Sequence, residues 1–314
     1  MRSFGSNCAV WCVASWNADL VSHVSGPIAR GETVLAHSFD ISPGGKGSNA
    51  AVACARQGAR TGVIARIGCD DFGAMALALW QREGIATDFV VQAADERSGV
   101  AQILVFDDGD NSIAVAPGAG AGLAPHHVQA AQEAMAASQV VMASFEVPQA
   151  ATLAAFRIAR AARVLTLLNP APAQPLSDEL TGLTDVLTPN ENELRQLAGL
   201  PPEAPLDAAA QLLLARGAKA VLVTLGAKGC RLWQADGVTS VVPGWPMAGV
   251  ADTIGAGDTF TGALAAALAR GEALTQAMRV ANAAAALSVT GRGALGGMPS
   301  GAQVQAFLGR PVGA

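Results

Sequence analysis

Asp252-Thr253-Ile254-Gly255-Ala256-Gly257-Asp258-Thr259-Phe260-Thr261-Gly262 is a glycine-rich turn that runs into an Ala/Leu stretch, Ala263 to Ala269, with one carboxylate at the junction. Two glycines and an alanine allow a sharp bend and the close approach of a bulky group. The first-turn N–H groups of a helix that follows have no partner inside it. Such a turn can hold an anion, and a phosphoryl group fits it. Asp258 stands where it can take the proton from a hydroxyl that attacks phosphorus over those amides. The same residues also read as an N-capping Asp behind a glycine loop, and both readings stand at this point.

A second cluster, Pro43-Gly44-Gly45-Lys46-Gly47-Ser48-Asn49, precedes Ala50 to Gln57 and then Gly58. This is another tight loop opening a helix, closed by a glycine just past its end. It is not a P-loop, which needs Lys and Ser/Thr adjacent, because Gly47 separates Lys46 from Ser48. Consecutive glycines leave backbone groups accessible, and Asn49 offers a donor and an acceptor. Together they suit the hydroxyls of a small polyol.

Between and around the two clusters, strands and helices alternate. Short apolar runs at 8–14, 61–67, 139–143, 164–168, 186–187 and 220–224 predict strands buried on both faces. Helical periodicity predicts helices over 50–56, 73–83, 127–136, 149–161, 191–197, 206–216, 259–270 and 274–290. The pattern is βαβ, hence an α/β fold with a doubly wound, mostly parallel sheet flanked by helices. Asp236-Gly237 predicts a late hairpin between 231–235 and 238–242. Two segments stand outside the alternation: 19–41, with Glu32 to Ala36 as extended chain, and 99–116, a hairpin about Asp107-Asp108-Gly109-Asp110.

Composition excludes several classes. A net charge of −5 without a Lys/Arg run argues against nucleic acid as a partner. Charged residues make up 14%, below the typical ~25%, and Ala and Gly take up the difference. No apolar run reaches the ~18 residues of a membrane span. The run Ala9 to Ala14 is short for a leader, and Asn17 and Asp19 follow at once. Cys8, Cys12, Cys54, Cys69 and Cys230 form no Cys-x-x-Cys pair and the histidines show no metal spacing, so the cysteines read as reduced core residues of a cytoplasmic protein.

The two glycine clusters, with their spacing, resemble the signatures of the ribokinase-like (PfkB) carbohydrate kinases. The first is met from Gly44 through Asn49 and Ala51 to Gly58 and Gly68, the second from Asp252 to Ala265. Asn17-Ala18-Asp19, Gly31-Glu32-Thr33-Val34, Asn169 to Ala173, Thr188 to Glu193, Thr224-Leu225-Gly226 and Ala283 to Thr290 extend the likeness over nearly the whole chain. The resemblance implies one kinase domain over 1–314, with the segments 19–41 and 99–116 forming a small β-sheet lid that often pairs with the lid of a second subunit. It implies an ATP-dependent sugar kinase with Asp258 as base and Gly255, Ala256 and Gly257 as the anion hole. D-Ribose is the expected acceptor; another furanose, a nucleoside, or a silent sugar-binding regulator are the alternatives.

The resemblance also implies site residues. Asn17, Asp19, Gly45, Lys46, Asn49 and Glu146 would grip the sugar, although Asp19 also reads as a turn former and Glu146 as a solvated loop carboxylate. Asn190 and Glu193 would organise Mg²⁺ and phosphate, largely through water, or be no more than an acidic helix start. Thr224, Leu225, Gly226, Ala227, Lys228 and Gly229 would receive the triphosphate and ribose of ATP, with Asn282 near the adenine. A K⁺ site is implied at Asp252, Ile254, Ser288, Gly291, Gly293 and Gly297, mainly through backbone carbonyls. Gly297 stands where the family has Ser, so K⁺ activation is expected to be weakened and Gly297→Ser to strengthen it. Trp16 and Gly118-Ala119-Gly120 also depart from the family pattern.

Overall fold

The computed structural model describes residues 8–309. Its centre is a nine-stranded sheet in the order β13-β12-β11-β10-β9-β8-β1-β4-β5. The strands are β1 (Val10–Val13), β4 (Thr61–Gly68), β5 (Ala86–Ala93), β8 (Val140–Ser144), β9 (Leu165–Asn169), β10 (Val186–Leu187), β11 (Ala220–Thr224), β12 (Gly229–Gln234) and β13 (Thr239–Pro243). All pairings are parallel except β11–β12 and β12–β13. The apolar runs are continuous because alternate residues feed two cores. Val10, Cys12, Val63 and Met142 face one, and Trp11, Val13, Ile64 and Val141 the other.

Helices α1 (Lys46–Arg56), α2 (Asp71–Arg82), α9 (Ala256–Ala269), α10 (Leu274–Ser288) and α12 (Gly301–Leu308) cover the first core. The second lies under α4 (Gln132–Ala136), α5 (Gln149–Ala161), α6 (Asp178–Leu183), α7 (Glu191–Leu197) and α8 (Leu206–Ala215), with α3 (Pro125–Gln129) beside them. A short α11 (Gly293–Gly296) precedes α12. β1 pairs with β4 on one side and β8 on the other, so strand order reverses there, and the C-terminal ends of β1 and β8 flank a crevice.

A separate four-stranded sheet stands over that edge: β3 (Ser38–Gly44), β2 (Asn17–Val24), β6 (Gly99–Phe106) and β7 (Asn111–Ala116), in that order. It starts two residues before the expected lid, at Asn17. Its outer strand is Ser38–Gly44 rather than Glu32 to Ala36, which lies in the connecting loop. Pro43 hid that strand, yet an edge strand bonded only to β2 tolerates it. β5 was likewise unforeseen. As the other sheet's edge it is half-buried and mixes Thr87, Asp88 and Gln92 with its apolar residues. The expected 127–136 helix is two short ones, and Cys69 is exposed rather than in the core. Among the described residues no helix is long and apolar enough to cross a membrane.

Candidate active site

Helix α9 begins at Ala256, capped by Gly255 in the left-handed region (φ +75°) and by no side chain. The amides of Gly257 and Asp258 have no backbone partner and lie at the positive end of a fourteen-residue helix. Asp258 is therefore no N-cap. It is the third residue of the helix, 5% exposed, and its Oδ2 accepts the Asn49 Nδ2–H at 2.9 Å.

Asn49 comes from α1, 209 positions away. The helices meet closely because a methyl on Gly262 of α9 would overlap the carbonyl oxygen of Ala50 on α1. The other Asn49 atom, Oδ1, is buried without a hydrogen-bond partner, an acceptor that the protein alone leaves unsatisfied.

The first glycine cluster is shorter as a loop than the sequence suggested, since Lys46 already begins α1. Its glycines serve packing: a Cβ on Gly45 (φ +92°) or Gly47 would strike the backbone of residues 14–16. Ser15, which nothing local in the sequence marked, organises this corner. Its Oγ accepts the Gly47 N–H at 3.0 Å and donates to Glu146 Oε2 at 2.8 Å. The same Oε2 accepts the Lys46 N–H at 2.7 Å. Glu146 is thus half-buried and anchored at the end of β8, not a solvated loop carboxylate. Asp19 is no turn former either. It lies in β2, where the absence of a side chain at Gly44 makes room for its carboxylate, as Gly99 makes room for Asn17.

These groups share one field. Burial pushes the Asp258 carboxyl up to about 6, with Lys46 and the Asn49 bond opposing. Burial, then Glu146 and Asp258, push Asp19 up to about 7, and burial also raises Glu193. Lys46 is held above its ordinary value, first by Asp258. Four carboxylates thus act on one ammonium, Lys46. This imbalance suits a site that takes in both a cation and an ionisable hydroxyl.

A cavity of about 880 Å³ opens from Asp258 along the ends of the strands. Lys46 is its one cationic lining residue, beside Asn190, Glu193, Thr224, Gly226, Ala227, Gly229, Ile254, Asn282 and the 255–258 turn. Leu225 packs on the core and Lys228 is exposed, both outside this lining. Asn169 and Thr188, which open two of the family-like blocks but were given no role from the sequence, also line it, as does Trp245. Ile113 reaches it from the lid.

Asn190 and Glu193 form a capping box. Asn190 Oδ1 accepts the Glu193 N–H and Glu193 Oε2 accepts the Asn190 N–H, both at 2.8 Å. The acidic helix start is real, and Glu193 Oε1 takes no part in it, a hard oxygen of the kind that Mg²⁺ with its waters would accept. Asn282 Nδ2 donates to the Pro243 carbonyl at 2.9 Å, fixing α10 to β13.

Behind the turn, Asp252 ties the proposed cation loop together, accepting the N–H groups of Ile254 and Gly293 at 2.9 Å each. One carboxylate among main-chain carbonyls is a donor set that suits a monovalent cation. The expectation for Gly297→Ser is corrected, however. A Cβ there would overlap the Ser288 carbonyl oxygen, so the loop must open before a Ser hydroxyl could serve as ligand. The substitution disrupts the loop instead of strengthening it. Trp16 packs in the core against Trp80, away from the cavity lining.

The description pfkB family carbohydrate kinase matches residues 9–300. Ribokinase of Haemophilus influenzae is 37% identical to the chain over 298 residues, covering 94% of it and 97% of the relative. Deoxyribokinase of Salmonella typhi is 33% identical over 299 residues, covering 94% and 97%. The solved ribokinase of Arabidopsis thaliana, complexed with ribose and ATP, superposes with TM-score 0.91 at 32% identity, over 97% of this chain and 99% of that one.

Proposed function

The chain belongs to the pfkB family of carbohydrate kinases, and from that premise we propose that it transfers the γ-phosphoryl group of ATP to the 5-hydroxyl of D-ribose. It is an ATP-dependent sugar kinase, and we read it as one kinase domain carrying a lid. The observation that carries the reading is Asp258, buried beside uncapped helix amides and held by Asn49. A carboxylate with a raised pKa accepts the sugar's hydroxyl proton as the oxygen attacks, while the Gly257 and Asp258 amides stabilise the charge on the phosphoryl oxygens. Lys46 balances the charge around that point. Asn17, Asp19, Asn49 and Glu146, disposed about the crevice, orient the sugar so that one hydroxyl faces the phosphorus.

Asn190 and Glu193 would hold Mg²⁺, which offsets phosphate charge when bound. Asp252 with the carbonyls of its loop would hold K⁺, which when bound orders the Gly255 turn. The lid excludes water that would compete as nucleophile. Its exposed Phe39, Ile41, Ile113 and Val115 support pairing with a second copy's lid as a homodimer. Free cysteines fit a cytoplasmic setting.

ADP release measured over pentoses, hexoses and nucleosides tests the acceptor. The highest kcat/KM is expected for D-ribose. The deoxyribokinase likeness makes 2-deoxyribose the second reading, and a tenfold preference for it would replace the first.

Asp19→Ala should weaken sugar binding by about 1.5–3 kcal/mol, the value of a hydrogen bond to a charged group, and leave ATP binding unchanged. Calorimetry with each ligand separates the two. An equal loss for both ligands would make Asp19 structural.

The pH profile carries a sign. Both Asp258, at about 6, and Asp19, at about 7, work ionised, so acid removes function. kcat/KM for the sugar should fall below about pH 7 and approach a slope of two on a logarithmic plot below about 6. An ordinary pair near 4 would leave it flat to about pH 5. A flat profile down to pH 5 contradicts the raised values.

A further inference from the structure

At the other end of the parallel strands from the crevice, where β9, β10 and β11 begin, lies a second cavity of about 600 Å³. Arg160, Arg163, Asp185, Lys219, Gln234 and the start of α10 at Leu274 line it. Three cations against one carboxylate leave a local surplus of two positive charges, in a chain whose net charge is −5. Asp185 is saturated. Its Oδ2 accepts the Thr166 N–H at 2.9 Å and the Thr166 hydroxyl at 3.2 Å, and its Oδ1 receives Arg160 at 2.8 Å and Lys219 at 2.6 Å. Both cations converge on one oxygen and Arg160 Nη2 also donates to the Gly182 carbonyl at 3.4 Å; their remaining donors have no partner among the described residues. The Lys219 side chain is 56% exposed and that of Arg160 37%.

Arg163 has no ion pair or hydrogen bond to its side chain among the described residues. It is also the one non-glycine residue among them with positive φ, +60°. That conformation belongs to the end of α5, where the Val164 N–H bonds back to the Ala159 carbonyl at 2.8 Å and glycine is the usual occupant, and it fixes where the Arg163 side chain starts. The N-terminus of the fifteen-residue α10 borders the same cavity with no side-chain cap at Ala273. It adds unsatisfied amides and a positive dipole end. Cavity, surplus charge and open helix end coincide in one place.

We infer that this cavity binds a phosphoryl dianion, as inorganic phosphate or as a phosphate monoester. Two guanidinium forks and an ammonium match its several acceptor oxygens better than a single carboxylate would.

The test is calorimetry on the full chain with inorganic phosphate and, separately, D-ribose 5-phosphate, at fixed ionic strength. Sugar and a non-hydrolysable ATP analogue occupy the other cavity throughout. Arg163→Gly removes the charge and relieves the left-handed strain, so its melting temperature should equal or exceed that of the parent. Lys219→Gln leaves Arg160 on Asp185. Each variant should raise the Kd about tenfold, as expected for loss of a charge-assisted bond, with turnover in the absence of phosphate within about twofold of the parent. Tighter binding of the ester assigns the ester as source; equal affinity assigns the phosphoryl group alone. No binding of either probe at millimolar concentrations, or unchanged affinity in the double variant, overturns the assignment.

Discussion

Asp258→Asn should cut turnover by roughly 10²–10⁴-fold while the protein stays folded and still binds sugar. The amide fills the same volume and its oxygen can still accept the Asn49 Nδ2–H, so the α1–α9 contact survives. It cannot take the hydroxyl proton. The variant should also lose the acid limb that belongs to Asp258, leaving a shallower fall set by Asp19. Residual turnover within tenfold of the parent would show that the proton leaves by another route.

The second large effect is mechanical. Gly262→Val would drive a branched side chain into the Ala50 carbonyl oxygen, the Ala53 Cβ and the Cys54 amide, all on α1. Overpacking of this kind costs about 1–3 kcal/mol and here meets backbone, which cannot rotate away. Spreading the helices separates Asn49 from Asp258, and a shift of about 1 Å can cost on the order of 10²-fold in rate. Gly182→Ala is the control. Nothing lies within 4 Å of its added methyl, and α6 should gain about 0.5–1 kcal/mol. Thermal melts and turnover read both. Unchanged activity in Gly262→Val would mean that the spacing of α1 and α9 does not set the site.

The interior parallel strands were legible because each is an apolar run buried on both faces, as Val140–Ser144 and Ala220–Thr224 are. Two edge strands were not: β3 is exposed over Ser38–Ile41 and β5 is half-buried, so polar residues and a proline dilute the signal, whereas β7 and β13 were found through their hairpin turns. At the site, Asp258, Asn49 and Lys46 could be read from the glycine clusters that flank them, since such turns mark helix starts. Ser15 could not, because its importance comes from meeting Glu146, 131 positions on. The capping box at Asn190 and Glu193 bears out the plainer of the motif's two readings, the acidic helix start. Gly297 shows the limit of substitution logic: a missing oxygen in the sequence is, in space, a carbonyl packed where the side chain would go.

The bond between Asn49 and Asp258 joins early chain to late chain, with consequences for synthesis. A ribosome releases α1 long before α9, and until residues 256–288 emerge the Ala-rich face of α1 and half of the sheet lack their cover. A chain stopped before Gly255 therefore has the crevice for a sugar but neither a base nor an anion hole, and it cannot spend ATP on water. The same chain presents bare apolar surface, which makes it a client for chaperones or proteases.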